Sequence, residues 1–257
     1  MKSILITGSY GQLGEACIKH LKSNFNLFIS DSVILGNGMH LDITDEKTVD
    51  QVLAETNPDI ILNLAAMTDV DECENNPSLA RAINVDGVKN LCNGFKGHFI
   101  QISTDYVFDG RAGPYSELDK TNPISVYGRT KLDADNWLST NHTKITILRT
   151  NVLYGFTKLT QASFVKWVVD SLSASKNIHV VDDQWNNPTW TESLAPLIEK
   201  LIKVEAFDLF WSVAQYFSDV LECEVLDENR NILTKQMLEH MRYKAQEYQR
   251  QHIANFS

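Results

Sequence analysis

The stretch "SVYGRTKLDAD", residues 125–135, sets Tyr127 and Lys131 four positions apart. On a helix that spacing stacks a phenol and an ammonium on one face, a single turn apart. The pairing suits proton transfer, because a free tyrosine titrates near 10 and a nearby cation favours its phenolate. Bringing a phenol down to neutrality asks for roughly 4 kcal/mol of differential stabilisation, from Lys131 and any further positive charge beside the ring. Spacing alone does not single the pair out, since Tyr154 and Lys158 repeat it in "YGFTK". What sets Tyr127 apart is a hydroxyl upstream: Thr104 follows the apolar run "HFIQIS", and ligands of a parallel sheet gather outside the carboxyl ends of its strands. Thr104 can then hold the carbonyl oxygen to which Tyr127 gives its proton. The decoy pair has no such partner.

A second constellation lies at the start. "TGSYGQLG" carries glycines at 8, 11 and 14 between an apolar run and a helical pattern. Glycine is required there because the backbone turns sharply and must approach a pyrophosphate unobstructed, while the opened helix N-terminus presents free N–H groups. Gly8, Tyr10, Gly11, Gln12, Leu13 and Gly14 are the candidate cofactor loop, and Asp31, 17 residues beyond Gly14, ends the next apolar run. A carboxylate at that place accepts from the adenosine ribose hydroxyls and repels a 2'-phosphate, which tilts the expectation toward NAD over NADP.

The elements that must position these residues alternate. Strand patterns over "SILIT" (3–7), "NLFIS" (26–30), "DIILNLAA" (59–66), "HFIQIS" (98–103) and "KITILRT" (144–150) are separated by helical patterns, one of them opened by Thr44 as its N-cap. Strands without polar alternation are buried on both faces, and strand–helix alternation predicts an α/β, Rossmann-type doubly wound parallel sheet. Beyond about 155 the pattern loosens into a helix (159–174), a strand "NIHVV", a loop "DDQWNNPTW" and another helix, then a terminal helix with Met237, Met241, Ala245 and Tyr248 as an apolar stripe. The expected organisation is a cofactor-binding domain over 1–155, later elements at about 156–203 packing on it, and a small, shortened C-terminal substrate lobe with the terminal helix at 204–257.

Bulk composition removes other classes. Apolar residues make up 43% and charged residues 22%, an ordinary globular balance, and a net charge of −10 argues against binding nucleic acid. No apolar run approaches the ~20 residues that span a bilayer, and "MKSILITG" leaves no room for a signal peptide before the first strand, so the expected compartment is the cytoplasm. Cysteines at 17, 73, 92 and 223 have no metal-ligand spacing and are expected to be buried thiols; no metal is expected.

In this order, "TGSYGQLG", "NLAAMTDVDECE", "INVDGVKNL", "ISTDYVFDG", "PYSELD" and "PISVYGRTK" resemble an extended short-chain dehydrogenase/reductase, most nearly the dTDP-4-dehydrorhamnose reductase family. The resemblance covers about 1–200. It implies a catalytic triad of Thr104, Tyr127 and Lys131 and reduction of the C4 keto group of a nucleotide-linked 6-deoxysugar by NAD(P)H, with Lys131 also bonding the nicotinamide ribose. By the same resemblance Leu64, Ala65 and Ala66 line the cofactor cleft, Asp42 and Ile43 lie by the adenine, and Thr68, Val70 and Asp71 lie near the ribose or sugar. Thr104, Asp105 and Val152 would face the substrate. A homodimer is in keeping with the family. Three features depart from its pattern: Val152 stands where a tryptophan is usual, Ala134-Asp135 replaces a Gly-Glu, and "FDLFWSVAQYF" passes quickly to "DENRNILT" where relatives carry a longer lobe. The readings that compete are a non-catalytic NAD(P)-binding regulatory subunit and a sugar-nucleotide epimerase or dehydratase that uses Asp105.

Overall fold

The computed structural model describes residues 1–111, 113, 115–155, 157, 164–179 and 188–211. The chain divides into two compact units, residues 1–163 with 183–212, and residues 164–182 with 213–257. The first unit contains a parallel sheet built from β1 (Ser3–Thr7), β2 (Asn26–Asp31), β3 (Met39–His40), β4 (Ile60–Asn63), β5 (His98–Thr104) and β6 (Ile145–Thr150). Two short strands, β7 (Leu153–Tyr154) and β8 (Thr189–Trp190), pair with each other, and β9 (Leu209–Trp211) completes the main sheet beside β6. The order is β3-β2-β1-β4-β5-β6-β9, with every pairing parallel. The strand direction of travel therefore reverses between β1 and β4, which opens a crevice at their carboxyl ends.

Helices α1 (Gln12–Leu21), α2 (Glu46–Thr56), α3 (Val70–Asn75), α4 (Pro77–Arg81), α5 (Gly87–Cys92) and α6 (Val126–Asn141) connect the strands. In the second unit lies α7 (Phe164–Ser173), and α8 (Thr191–Lys203) belongs to the first. Among the described residues, no helix is long and apolar enough to cross a membrane. The core forms because the central strands carry apolar side chains on both faces: Leu5, Ile61 and Phe99 are fully buried against Val49, Val88, Leu91 and Leu138 from the helices.

A buried polar ladder crosses the sheet beneath the crevice. Thr7 Oγ1 donates to Asn63 Oδ1 at 2.6 Å, and Asn63 Nδ2 donates to Gln101 Oε1 at 2.7 Å. Thr7 Oγ1 also accepts from Leu64 N and Ala65 N at 3.2 Å, so β4 ends at Asn63 rather than running to residue 66. The N-cap of α2 is Asp45, which accepts from Lys47 N, and Thr44 is instead held by Asp42 Oδ1. Aspartate caps at least as well as threonine, and Asp42 draws Thr44 into its own turn. Within the expected strand "NIHVV", residues 177–179 have no strand pairing and the remainder lies outside the described residues, as do Lys158, Cys223, the loop from 182 to 187 and the terminal helix.

Candidate active site

The glycine loop turns out of β1 and into α1. Gly8 holds φ at +59°, and a Cβ there would lie 2.7 Å from Ala65 N and 2.8 Å from the carbonyl carbon of Leu64. Only glycine permits that approach. A Cβ on Gly14 would lie 2.2 Å from Ser9 O, so the start of α1 is pressed onto the turn that precedes it. Ser9 fastens the turn below, donating to Ile6 O and accepting from Ser30 N. The N-cap of α1 is Gly11, with no side-chain cap, which leaves the first N–H groups facing the crevice for a phosphate. Asp31, at the end of β2, accepts from Tyr10 N and Val33 N and so stands fixed beside this loop.

A cleft of about 560 Å³ runs from there across the strand ends. Gly8, Gly11, Gln12, Leu13, Gly14, Asp31, Asp42, Ile43, Leu64, Ala65, Ala66, Thr68 and Val70 line one end, and Thr104, Asp105, Tyr127, Lys131 and Val152 line the other. Two expected residues stand elsewhere. Tyr10 reaches away to donate its hydroxyl to Leu35 O, its ring tip pressed on Gly38, and Asp71 is exposed on α3. Tyr154, the decoy, is buried in β7.

Tyr127 and Lys131 sit on α6, which Ser125 caps by accepting from Gly128 N at 3.0 Å. Gly128 lets the helix come close: a Cβ there would lie 2.1 Å from Tyr106 O, in the short 3-10 turn Asp105–Val107 that follows β5. That contact sets the tyrosine against the strand end. Thr104 caps the turn, accepting from Tyr106 N and donating to Asp105 Oδ1, both at 3.2 Å. Burial pushes the Tyr127 phenol well above its ordinary value, with Asp105 adding to the rise and a hydrogen bond with Thr104 opposing it. Burial likewise raises the Asp105 carboxyl. The ammonium of Lys131 donates to Ile102 O at 2.6 Å. A buried amine takes the nearest carbonyl acceptor. Tyr127 is held protonated, as a proton donor must be.

Several residues of the site went unread in the sequence, and two of them bear on Tyr127 and Lys131. Tyr106 borders the cleft, half-exposed, with its ring edge-on to Tyr127 at 5.6 Å. Asn84 lies in one turn of π-helix, Ala82–Asp86, between α4 and α5. Its amide exchanges hydrogen bonds with Met67 N and O and reaches Thr130 Oγ1, tying the loop after β4 to the residue before Lys131. A π-turn is invisible to helical periodicity, though Gly87 after "INVD" was a cue to close packing: a Cβ there would lie 2.6 Å from Ile43.

Comparison with known proteins adds to this geometry. The RmlD substrate binding domain matches residues 1–246. A probable dTDP-4,6-dihydroxy-2-methyloxan-3-one 4-ketoreductase of Streptomyces antibioticus is 39% identical over 76% of this chain, which spans 65% of that relative's length. A solved dTDP-4-dehydrorhamnose reductase of Clostridium acetobutylicum is 36% identical with a TM-score of 0.74, covering 86% of this chain and 78% of that one. Another, from Bacillus anthracis in complex with NADP, is 32% identical with a TM-score of 0.75, covering 82% and 73%.

Proposed function

Since the chain belongs to the RmlD substrate binding domain family, we propose that it reduces the 4-keto group of a nucleotide-linked 6-deoxysugar with NAD(P)H. The observation that carries this reading is the convergence of Thr104, Tyr127 and Lys131 on the cleft that also receives the glycine loop. The residues fit a dinucleotide: the α1 N-terminus is uncapped by any side chain, Gly8 brings the turn against β4, and Asp31 is poised for ribose hydroxyls. When bound, a reduced nicotinamide supplies the hydride for the carbonyl carbon. Tyr127 Oη gives its proton to the carbonyl oxygen as charge develops there. Thr104 orients the same oxygen, and Lys131 holds positive charge behind the phenol.

Of the two coenzymes we propose NADH, because a fixed Asp31 carboxylate would repel a 2'-phosphate. The remaining cleft residues named above, with Val152 toward the sugar, complete the proposed site. The same reading takes residues 1–155 as the cofactor domain and 204–257 as the reduced substrate lobe of a cytoplasmic homodimer. Replacing Tyr127 with phenylalanine should lower NAD(P)H oxidation with a 4-keto sugar nucleotide by about 10²–10⁴-fold and leave coenzyme affinity intact. Normal turnover in that variant would remove Tyr127 as the donor. Asp105 supports a second reading, since a carboxyl raised by burial beside Tyr127 suits an epimerase or dehydratase. Solvent deuterium entering the sugar at C3 or C5 would establish that chemistry.

A further inference from the structure

Asp135 follows Lys131 by four residues, as Lys131 follows Tyr127, so three polar side chains mark successive turns of one stripe of α6. Both Asp135 and Lys131 are 3% exposed, and Arg149 on β6 is 4% exposed. The Asp135 carboxylate receives Ser103 Oγ on Oδ2 at 2.6 Å, with Arg149 Nε 3.9 Å from the same oxygen. Among the described residues, Asp135 Oδ1 and Arg149 Nε have no hydrogen-bond partner. The guanidinium instead covers the Phe108 ring at 5.4 Å and reaches Glu117 O at 3.4 Å. One buried carboxylate therefore lies one helical turn from Lys131 and 3.9 Å from the guanidinium of Arg149, on which Glu117 also acts.

Such an excess of positive charge in a poorly solvated interior costs several kcal/mol per uncompensated ion. The two cations cannot share that cost, because a guanidinium does not give up its proton in a protein and an ammonium does. Any loss of negative charge at Asp135 must fall on Lys131. We propose that Asp135 is a positioning residue that sets the protonation of Lys131, and through Ser103 ties that charge to the strand end bearing Thr104. This rests on the reductase reading for its consequence in turnover, although the coupling itself does not.

The surrounding charges leave this assignment intact. On α6 the other titratable group of the stripe is Tyr127, which answers to Asp105, to Cys73 of α3 and to Tyr106. From the loop after β5, Glu117 acts on Arg149. Glu74 of α3 accepts from Val126 N, Arg81 of α4 pairs with Asp133 on the outer face, and Lys89 pairs with Asp86 beside α5. Burial brings Lys131 down to about 8, with Asp135 holding it up, and burial raises Asp135 to about 6. The ammonium is thus lost as pH rises through about 8, and the carboxylate is lost as pH falls through about 6, the two groups titrating as a pair.

The test is a titration of the Lys131 Cε signal in 13C-lysine-labelled protein, assigned by its disappearance in Lys131→Met. In Asp135→Asn the midpoint should fall by at least about one pH unit, a tenfold change in the protonation equilibrium; in Asp135→Glu it should return. In Arg149→Gln, where the carboxylate is freed of its second cation, it should rise, so a variant that fails to fold leaves an opposite displacement to be read. Turnover should follow, with kcat of Asp135→Asn at least about fivefold below the parent at pH 8 and near it at pH 6. A Lys131 midpoint unmoved in both Asp135→Asn and Arg149→Gln overturns the proposal. A midpoint that moves in a protein that turns over no sugar nucleotide upholds the coupling and removes the reductase reading instead.

Discussion

Gly8→Ala separates two costs that glycine loops usually combine. The left-handed backbone at φ +59° costs an alanine about 1–2 kcal/mol. The new Cβ would also stand 2.7 Å from Ala65 N, where an ordinary contact begins at 3.4 Å, so the exit of β4 must withdraw by roughly 0.7 Å. That withdrawal stretches the bonds from Leu64 N and Ala65 N to Thr7 Oγ1, already 3.2 Å, at about 1 kcal/mol each. The sum is about 3–4 kcal/mol, a large part of a typical domain's stability. Gly36→Ala is the internal control, because Gly36 has φ +60° and nothing within 4 Å of its added Cβ. It should show the conformational cost alone. Urea unfolding followed by circular dichroism reads the difference between the two variants, and fluorescence titration with NADH and NADPH reads the loop. Equal losses in Gly8→Ala and Gly36→Ala, with coenzyme affinity unchanged in both, would refute the claim that the turn is wedged against β4.

Two more outcomes follow from the same coordinates. Asp31→Ser should raise affinity for NADPH relative to NADH while weakening both, since the carboxylate also anchors Tyr10 N and Val33 N; an unchanged NADPH/NADH ratio would remove Asp31 as the discriminating residue. His98 is 6% exposed, and burial, assisted by Lys2, holds its imidazole down to about 4. The unfolded chain therefore takes up the proton first, so stability is complete above about pH 6.5 and falls as the pH drops toward about 4, by up to about 3 kcal/mol. His98→Gln should flatten unfolding free energy measured between pH 6.5 and 4.5, and an undiminished slope would assign the effect elsewhere.

What could be read from the chain alone was the part written in repeating chemistry. β1 occupies Ser3–Thr7 as its apolar run indicates, and α6 covers the helical stretch around Tyr127, with Ser125 as its cap. Short pieces escaped. β3, β7 and β8 are two residues each, too brief for alternation to register, and β9 lies in an aromatic run with no turn signal before it. Side-chain direction was equally hidden. Tyr10 sits inside the glycine motif yet turns outward to Leu35, and Lys131 bonds Ile102, because each follows the acceptor that folding brings near rather than its neighbour in the chain. Asp135 looked like a minor spelling change and proves to be a buried carboxylate that accepts from Ser103 and stands 3.9 Å from Arg149.

The Thr7–Asn63–Gln101 ladder also constrains how this protein can be made. Thr7 must wait for a partner 56 residues later, and Asn63 for one 38 residues further on. β1 is thus an interior strand, flanked by β2 and β4, and the ladder it begins cannot close until Gln101 has emerged. Nascent chains that end before Gln101 should remain substrates for holding chaperones, and a synonymous pause placed before β5 would lengthen that vulnerable interval without altering a single side chain.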